Sequence, residues 1–381
     1  MLARVVLTAE RVLRRTKAIL PEQVRQVLVL EYRLPLGCVV HLTPVFEAMK
    51  QARPEIEIAV ATRGLGLQVL RHSRFVDHLI ETADPTTELA GAAHGLRREL
   101  GRRGLRPDCV LTGASDQRTK IALMGLLGAS GWRGGFTQTP GLYQRPLEYD
   151  YGLNLIGNNL RLAGLAGCDV VKRIEPRVFF SESDAATAKT LLSAANPEGR
   201  PAVAMVTQTS GGQNTDWHTE RFVEVIRSAA LERRLAVVYV GTAAEAAAIE
   251  EIRAAAGGIG ASIAGKTSVS ELAAVLAASD YVVTLDTGTM HVGRAVGVPM
   301  AVLGPSWQKP LEWMPLGIEN VRVLRGEDRV GVPEEYRLDE ISAESVVAAL
   351  GELMEVYPAS EEARARRLQA GLSSIDHLAV T

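Results

Sequence analysis

The strongest constraint on this chain is an alternation that runs through it twice. Short continuous apolar segments, rich in Val, Ile and Leu, are separated by longer stretches with helical spacing. In the first half the apolar runs are QVLVLEY (26–32), IEIAVAT (56–62), VDHLIET (76–82) and DCVLTGA (108–114), and VVHLTPVFEAMKQ reads as one helix up to Pro54. The second half restarts with AVAMVTQ (202–208), AVVYVGT (236–242), YVVTLD (281–286) and PMAVLG (299–304). Between them the spacing predicts helices through ERFVEVIRSAALERR, from Ala243 to Ala256, over SVSELAAVLAAS and from Met290. Strands that are apolar throughout, rather than at every second position, belong to parallel sheets covered on both faces. The expectation is an α/β chain of two doubly wound domains, with ligands at the carboxyl ends of the strands.

At 381 residues there is length for two such cores. The domains are placed at 21–180 and 181–350, where the proline-bearing stretch 172–201 breaks the rhythm, with a charged helical tail at 351–381 expected to pack across both. Residues 1–20 carry Arg4, Arg11, Arg14, Arg15 and Lys17 beside apolar residues at helical spacing. They read as an amphipathic helix, docked on its own domain or resting on an anionic membrane surface. They lack the apolar core of a signal peptide or a membrane span. Three scattered cysteines, Cys38, Cys109 and Cys168, suit a reducing cytoplasm. Lys and Arg total 42 against 44 Asp and Glu, so the net charge of -2 draws the protein neither to nucleic acid nor to membrane as a whole. An anionic ligand then needs a local site.

One such site is legible in TLDTGTMHVGRAVGVPMAVLGPS (284–306). Asp286 ends a strand, and Thr287, Gly288 and Thr289 precede a helix that contains His291. Backbone N–H groups at such a helix start, two hydroxyls and the helix dipole together suit a phosphate. An ordinary strand-to-helix cap has the same appearance. GLGLQV (64–69) has two of the glycines of a dinucleotide turn but neither the third nor a suitably placed acid, so it reads as a plain turn.

The run from LAAVLAASDYVVTLDTGTMHVGRAVGVPMAVLGPS to Trp313 and Pro315 resembles the C-terminal signature of glycosyltransferase family 9, the heptosyltransferases, through Asp286, Thr287, Gly288, His291, Ala295, Gly297, Pro299, Gly304, Pro305, Trp313 and Pro315. The opening strand and loop, with Gly37, His41, Thr43 and Pro44, and the helix WHTERFVEVI, through Trp217, Glu220 and Phe222, are similar to the same family. The resemblance implies the GT-B fold, two Rossmann-like domains facing across a cleft, with acceptor on the first and donor on the second. It implies inverting transfer of a heptose or similar sugar from a nucleoside-diphosphate donor, ADP-sugar favoured, to a glycolipid or polysaccharide of the lipopolysaccharide core type. The donor is a substrate; no cofactor or metal is implied. The setting is cytoplasmic, with residues 1–20 as the contact to the inner face of the membrane.

Residue by residue, the resemblance assigns the donor to Thr209, Ser210, Thr215, Glu245, Leu272, Asp286, Thr287, Gly288, Thr289 and His291. Glu245 would face the ribose, or be a solvated helix face; Leu272 would border the base. Gly37, Arg118 and Lys120 would face the acceptor, and Arg145 with Tyr143, Tyr149 and Tyr151 offers a sugar-binding surface. Two positions depart from the pattern. Cys38 stands where the family usually carries the aspartate after the loop glycine, which leaves Cys38 or His41 as catalytic candidates, or Glu31 or Asp116 if the fold brings them near. Thr215 replaces a lysine that would neutralise donor phosphate. Alternatives are a nucleotide-sugar-binding protein of the same fold without catalysis, or a sugar-nucleotide epimerase.

Overall fold

A computed structural model describes residues 20–33, 35–170, 173–209, 216–332 and 335–379. The amphipathic helix expected at 1–20 therefore lies outside the described residues except for Leu20, as do Ser210 and Thr215. The chain forms two compact units, one up to Pro176 together with the stretch from Ile375 onward, the other Arg177–Ser374.

In the first unit the strands are β1 (Gln26–Leu30), β2 (Glu57–Thr62), β3 (His78–Glu81), β4 (Cys109–Thr112), β5 (Trp132–Phe136) and β6 (Arg145–Leu147). All neighbouring pairs are parallel, in the order β3-β2-β1-β4-β5-β6. The second unit has β7 (Ala202–Val206), β8 (Ala236–Tyr239), β9 (Ala261–Ser262), β10 (Tyr281–Leu285), β11 (Met300–Leu303) and β12 (Val321–Leu324). Its order is β12-β11-β10-β7-β8-β9, again parallel throughout. Read from the other edge, this is the first unit's topology repeated. In each sheet the winding reverses beside the first strand, between β1 and β4 and between β7 and β10. That is where a doubly wound sheet opens for a ligand.

The apolar runs are strands because both of their faces are covered. Leu28, Leu30, Ile80, Leu96, Ile121 and Met124 are packed together in the first unit, and Val203, Met205, Phe222, Tyr239, Tyr281 and Leu303 in the second. The helix expected up to Pro54 is two, Leu36–Val40 and Thr43–Ala52. Pro44 has no N–H to return to the Val40 carbonyl, which instead accepts from the Thr43 hydroxyl at 2.8 Å. The helix expected from Ala243 begins with a 3-10 turn, Ala243–Glu245, before Ala246–Ala255. The helices of the expected tail, Ala343–Val356 and Glu361–Gly371, belong to the second unit. There Arg364 pairs with Asp280 at 2.7 Å, and Arg367 donates to the Ala277 carbonyl. The last stretch belongs to the first unit, where Arg71 donates twice to Asp376, at 2.9 and 2.7 Å. Among the described residues no helix is long and apolar enough to cross a membrane.

Candidate functional site

In the second unit, Thr284 pairs with Val206, so the residues that follow β10 and β7 emerge side by side at the carboxyl edge. After β10 come Asp286 and Thr287, then the helix Gly288–Val296, nine residues long. Thr287 has extended dihedrals and its side chain does not cap the helix. In the first turn the Met290 N–H reaches back to the Thr287 carbonyl at 3.1 Å, whereas the Gly288 and Thr289 N–H groups precede any carbonyl of their own helix they could reach. Thr287 and Thr207 are both buried, and neither hydroxyl has a partner among the described residues. Two buried hydroxyls left this way are costly unless something else uses them.

Two titratable groups flank this loop. Burial, helped by the charge of Arg294, pushes His291 down to about 3, so the imidazole is neutral at physiological pH. Its ring lies edge-on to Trp313 at 6.1 Å, which joins the two ends of the signature. Burial pushes Asp286 up to about 6. At neutral pH it is still mostly a carboxylate, suited to accept from a hydroxyl or a backbone N–H rather than to meet a phosphate. The loop after β11 is fixed from outside the motif, with Ser306 N–H donating to the Tyr336 hydroxyl at 3.2 Å and Arg325 donating to the carbonyls of Pro305, Ser306 and Gln308.

The other donor candidates are placed unevenly. The Thr209 hydroxyl donates to Asp216 at 2.7 Å, on the far side of the segment that is not described. Glu245 accepts from the Thr242 N–H at 2.7 Å and so caps its own turn. Leu272 lies half-buried on the helix Val269–Ala278, which starts with the Ser268–Glu271 capping box.

In the first unit, Leu30 pairs with both Ala61 and Thr112, so Glu31 follows the central strand and Gly113 to Asp116 follow its neighbour. Glu31 is wholly buried. Its carboxylate accepts from the Arg33 N–H at 2.9 Å and from the Ser115 hydroxyl at 3.2 Å. Asp116, also buried, accepts from the Tyr32 N–H at 3.1 Å and from both ends of the Arg118 guanidinium, at 2.7 and 2.9 Å. The two carboxylates thus lie close together with one half-exposed guanidinium between them and solvent. Burial first, and the charge of Asp116 second, push Glu31 up to about 8.

Gly37 and Cys38 sit in the helix Leu36–Val40, with Cys38 buried. Burial, then the nearby charge of Glu31, push the Cys38 thiol far above its ordinary range, against the opposing effects of Arg33 and a hydrogen bond with Ser115. The fold thus gathers Glu31, Arg33, Ser115 and Asp116 around the cysteine. His41 is buried at the end of the same helix, and its carbonyl accepts from Asn159 at 3.1 Å. Lys120 is exposed and donates to the Thr86 carbonyl. Arg145 lies over the Trp132 ring at 4.7 Å, while Tyr149 and Tyr151 contact each other at 5.1 Å with Tyr151 largely exposed. Among the described residues no group of three or more His, Cys, Asp or Glu could hold a metal ion.

Asn159 and Ser115 are absent from the sequence expectations. Asn159 is completely buried on the helix Leu155–Leu165, which Asn154 caps by accepting from Gly157 N–H at 2.7 Å. Its side chain accepts from Ala114 N–H at 2.8 Å and so ties the β4 loop to His41. Two consecutive asparagines within an otherwise apolar helix were the available signal.

The sequence model of Glycosyltransferase family 9 (heptosyltransferase) matches residues 121–329, more than half of the chain. No curated protein sequence matches it. Solved structures do. A glycosyl transferase family 9 structure from Veillonella parvula superposes with a TM-score of 0.77 at 18% identity, covering 87% of this chain and 98% of its own. The ADP-heptose lps heptosyltransferase II of E. coli gives 0.72 at 20%, covering 88% and 100%. The E. coli heptosyltransferase WaaC with ADP gives 0.65 at 17%, covering 87% and 99%. The fold is the α/β fold of GT-B glycosyltransferases, and the chain belongs to glycosyltransferase family 9, the heptosyltransferases.

Proposed function

We propose that this glycosyltransferase moves a heptose or closely similar sugar from a nucleoside-diphosphate donor, an ADP-sugar first among them, to a hydroxyl of a glycolipid or polysaccharide acceptor of the lipopolysaccharide core type. The carrying observation is the pair of buried hydroxyls, Thr207 and Thr287, without partners among the described residues, beside the start of the helix Gly288–Val296 at the β7–β10 switch point. In this reading Thr287, Gly288 and Thr289 hold the diphosphate and neutral His291 supports the loop, while Asp286, raised only to about 6 and so largely ionised at neutral pH, serves the backbone or a sugar hydroxyl rather than the phosphate. Glu245 meets the ribose and Leu272 borders the base. Thr209, Ser210 and Thr215 supply hydroxyls where the family has a lysine. Such a site relies on neutral donors, worth about 0.5–1.5 kcal/mol each against about 1.5–3 for a charged one.

The acceptor is assigned to the β1–β4 switch point, with Lys120 at its rim, Arg118 held by Asp116, and Gly37, Cys38 and His41 on its inner side. Attack by the acceptor oxygen on the face opposite the departing diphosphate inverts the anomeric carbon. The working place is the cytoplasm, with residues 1–20 as the membrane contact. Supporting this reading are the family match and the structural likeness to the ADP-heptose lps heptosyltransferase II of E. coli and to its heptosyltransferase WaaC with ADP.

The test is ADP-heptose added to the purified protein with a truncated inner-core lipopolysaccharide, following ADP release and the anomeric configuration of the product by NMR. Neither binding nor turnover with any of the ADP-, GDP-, UDP- or dTDP-sugars would overturn the reading. A second reading, donor binding without transfer, is favoured by the un-ionised thiol at Cys38. Binding of ADP-heptose with no product from any acceptor would select it.

A further inference from the structure

Sugar transfer forms a bond from the acceptor oxygen to the anomeric carbon while the bond to the diphosphate breaks, the diphosphate leaving with the electron pair. The acceptor's proton must then be taken up by the protein. The Cys38 thiol is held far from ionisation and offers no basic site. Beside it is a group that does. We propose that the acceptor proton leaves through the hydroxyl of Ser115 to the carboxylate of Glu31. The inference rests on the reading that the acceptor hydroxyl enters the β1–β4 switch point.

The geometry divides the task between the two residues. Glu31 is wholly buried and does not touch a substrate, whereas Ser115 is half-exposed. The Ser115 hydroxyl donates to Glu31 Oε2 at 3.2 Å, so its lone pairs are turned away from that carboxylate and can accept a proton from outside. As the acceptor proton arrives on Ser115, the serine's own proton passes to Glu31. The serine ends unchanged, and Glu31 ends neutral. Ser115 is the catalytic group, and Glu31 acts through it.

The surroundings hold this pair in place and set its basicity. Glu31 Oε1 is fixed by the Arg33 N–H, and the residue before Ser115 is fixed by Asn159. At Gly113 there is no room for a side chain without pressing on the pair: a Cβ would stand 3.3 Å from Glu31 Oε2 and from Asn159 Oδ1. The groups that face Glu31 are Arg33 and Cys38 from its own loop, and Ser115, Asp116 and Arg118 from the β4 loop. Burial and the charge of Asp116 make the carboxylate a stronger base than an ordinary glutamate, and Arg118 partly offsets this. A base whose affinity for protons lies near the working pH is the efficient kind.

The experiment follows ADP release from ADP-heptose and a truncated inner-core lipopolysaccharide between pH 5.5 and 9.5. The wild-type rate is expected to rise with pH through the ionisation of Glu31, near 8. Glu31→Gln and Ser115→Ala are each expected to lose about 10²–10⁴-fold in kcat and the rising limb, with ADP affinity unchanged. Asp116→Asn removes the like charge and is expected to move the limb to lower pH, a displacement that a merely structural role would not produce. An active wild type accompanied by a Glu31→Gln variant that binds ADP and keeps both rate and pH profile overturns the relay alone. So does an unmoved limb in Asp116→Asn. A wild type that turns over nothing overturns the functional reading itself, and the relay with it.

Discussion

Asn159 is the residue whose removal tests most directly how the acceptor-side loop is held. In Asn159→Ala the N–H of Ala114 and the carbonyl of His41, both buried, lose their side-chain partner together. A buried polar group left unsatisfied costs about 1–3 kcal/mol, so two of them, with some relaxation, should cost about 3 kcal/mol. At 1.4 kcal/mol per factor of ten, that is roughly a hundredfold faster local opening. Amide hydrogen exchange read on peptides spanning 109–118 should show this loss of protection, with little change in peptides of the second unit. Asn159→Asp separates the two bonds, because it keeps an acceptor for Ala114 and turns an oxygen toward the His41 carbonyl. Wild-type exchange in the β4 loop of Asn159→Ala, with an unchanged urea midpoint, would refute the reasoning.

Three further outcomes are expected. The folded chain holds a proton on Glu31 that the unfolded chain releases, so stability from this site is complete below pH 4.5 and lost as pH rises to about 8. At about 1.4 kcal/mol per pH unit the wild type should fall by roughly 5 kcal/mol against Glu31→Gln over that window in denaturant titrations, and a flat difference would refute it. Thr287→Val should leave the ligand-free protein as stable or up to about 1 kcal/mol more so, yet weaken ADP binding about 2- to 10-fold by calorimetry, because its hydroxyl has no described protein partner to lose. Hydrogen bonds from Arg71 hold the Asp376 carboxyl down at about 2, so its contribution is present above pH 3.8 and lost as pH falls through 2. The pair is partly exposed, so Asp376→Asn should cost at most about 1 kcal/mol at neutral pH, a difference in melting temperature that shrinks in acid.

The central strands could be read because burial on both faces leaves an unbroken apolar record, as in VLVL before Glu31 and YVVTL before Asp286. β5 could not, since WRGGF hides a strand behind a charge and two glycines. Arg133 is buried there because its side chain donates to the Leu142 carbonyl at 2.7 Å. Gly135 is glycine because its φ is 103° and a Cβ would stand 2.4 Å from the Thr112 carbonyl oxygen. β6 and β12 are short edge strands, where only part of the pattern is written. The donor loop was legible as a local motif of contiguous residues. The Glu31–Ser115–Asp116 cluster was not, because its members are 84 and 85 positions apart and meet only once the order of strands is known. Glu31 and Asp116 were visible as acids of unknown distance; Asn159 was marked only by the asparagine pair in its helix, and Ser115 by nothing that separates it from other polar residues.

All three cysteines are free and buried, and burial raises every one of their thiols. Alkylating reagents attack the thiolate and need access to it, so maleimides and iodoacetamide should leave the native protein unmodified. A single cysteine introduced on the surface would then be the one position to take a fluorophore or spin label. The wild-type background is already suited to distance measurements, and replacing Cys38, with the disturbance that would bring to Glu31, is unnecessary.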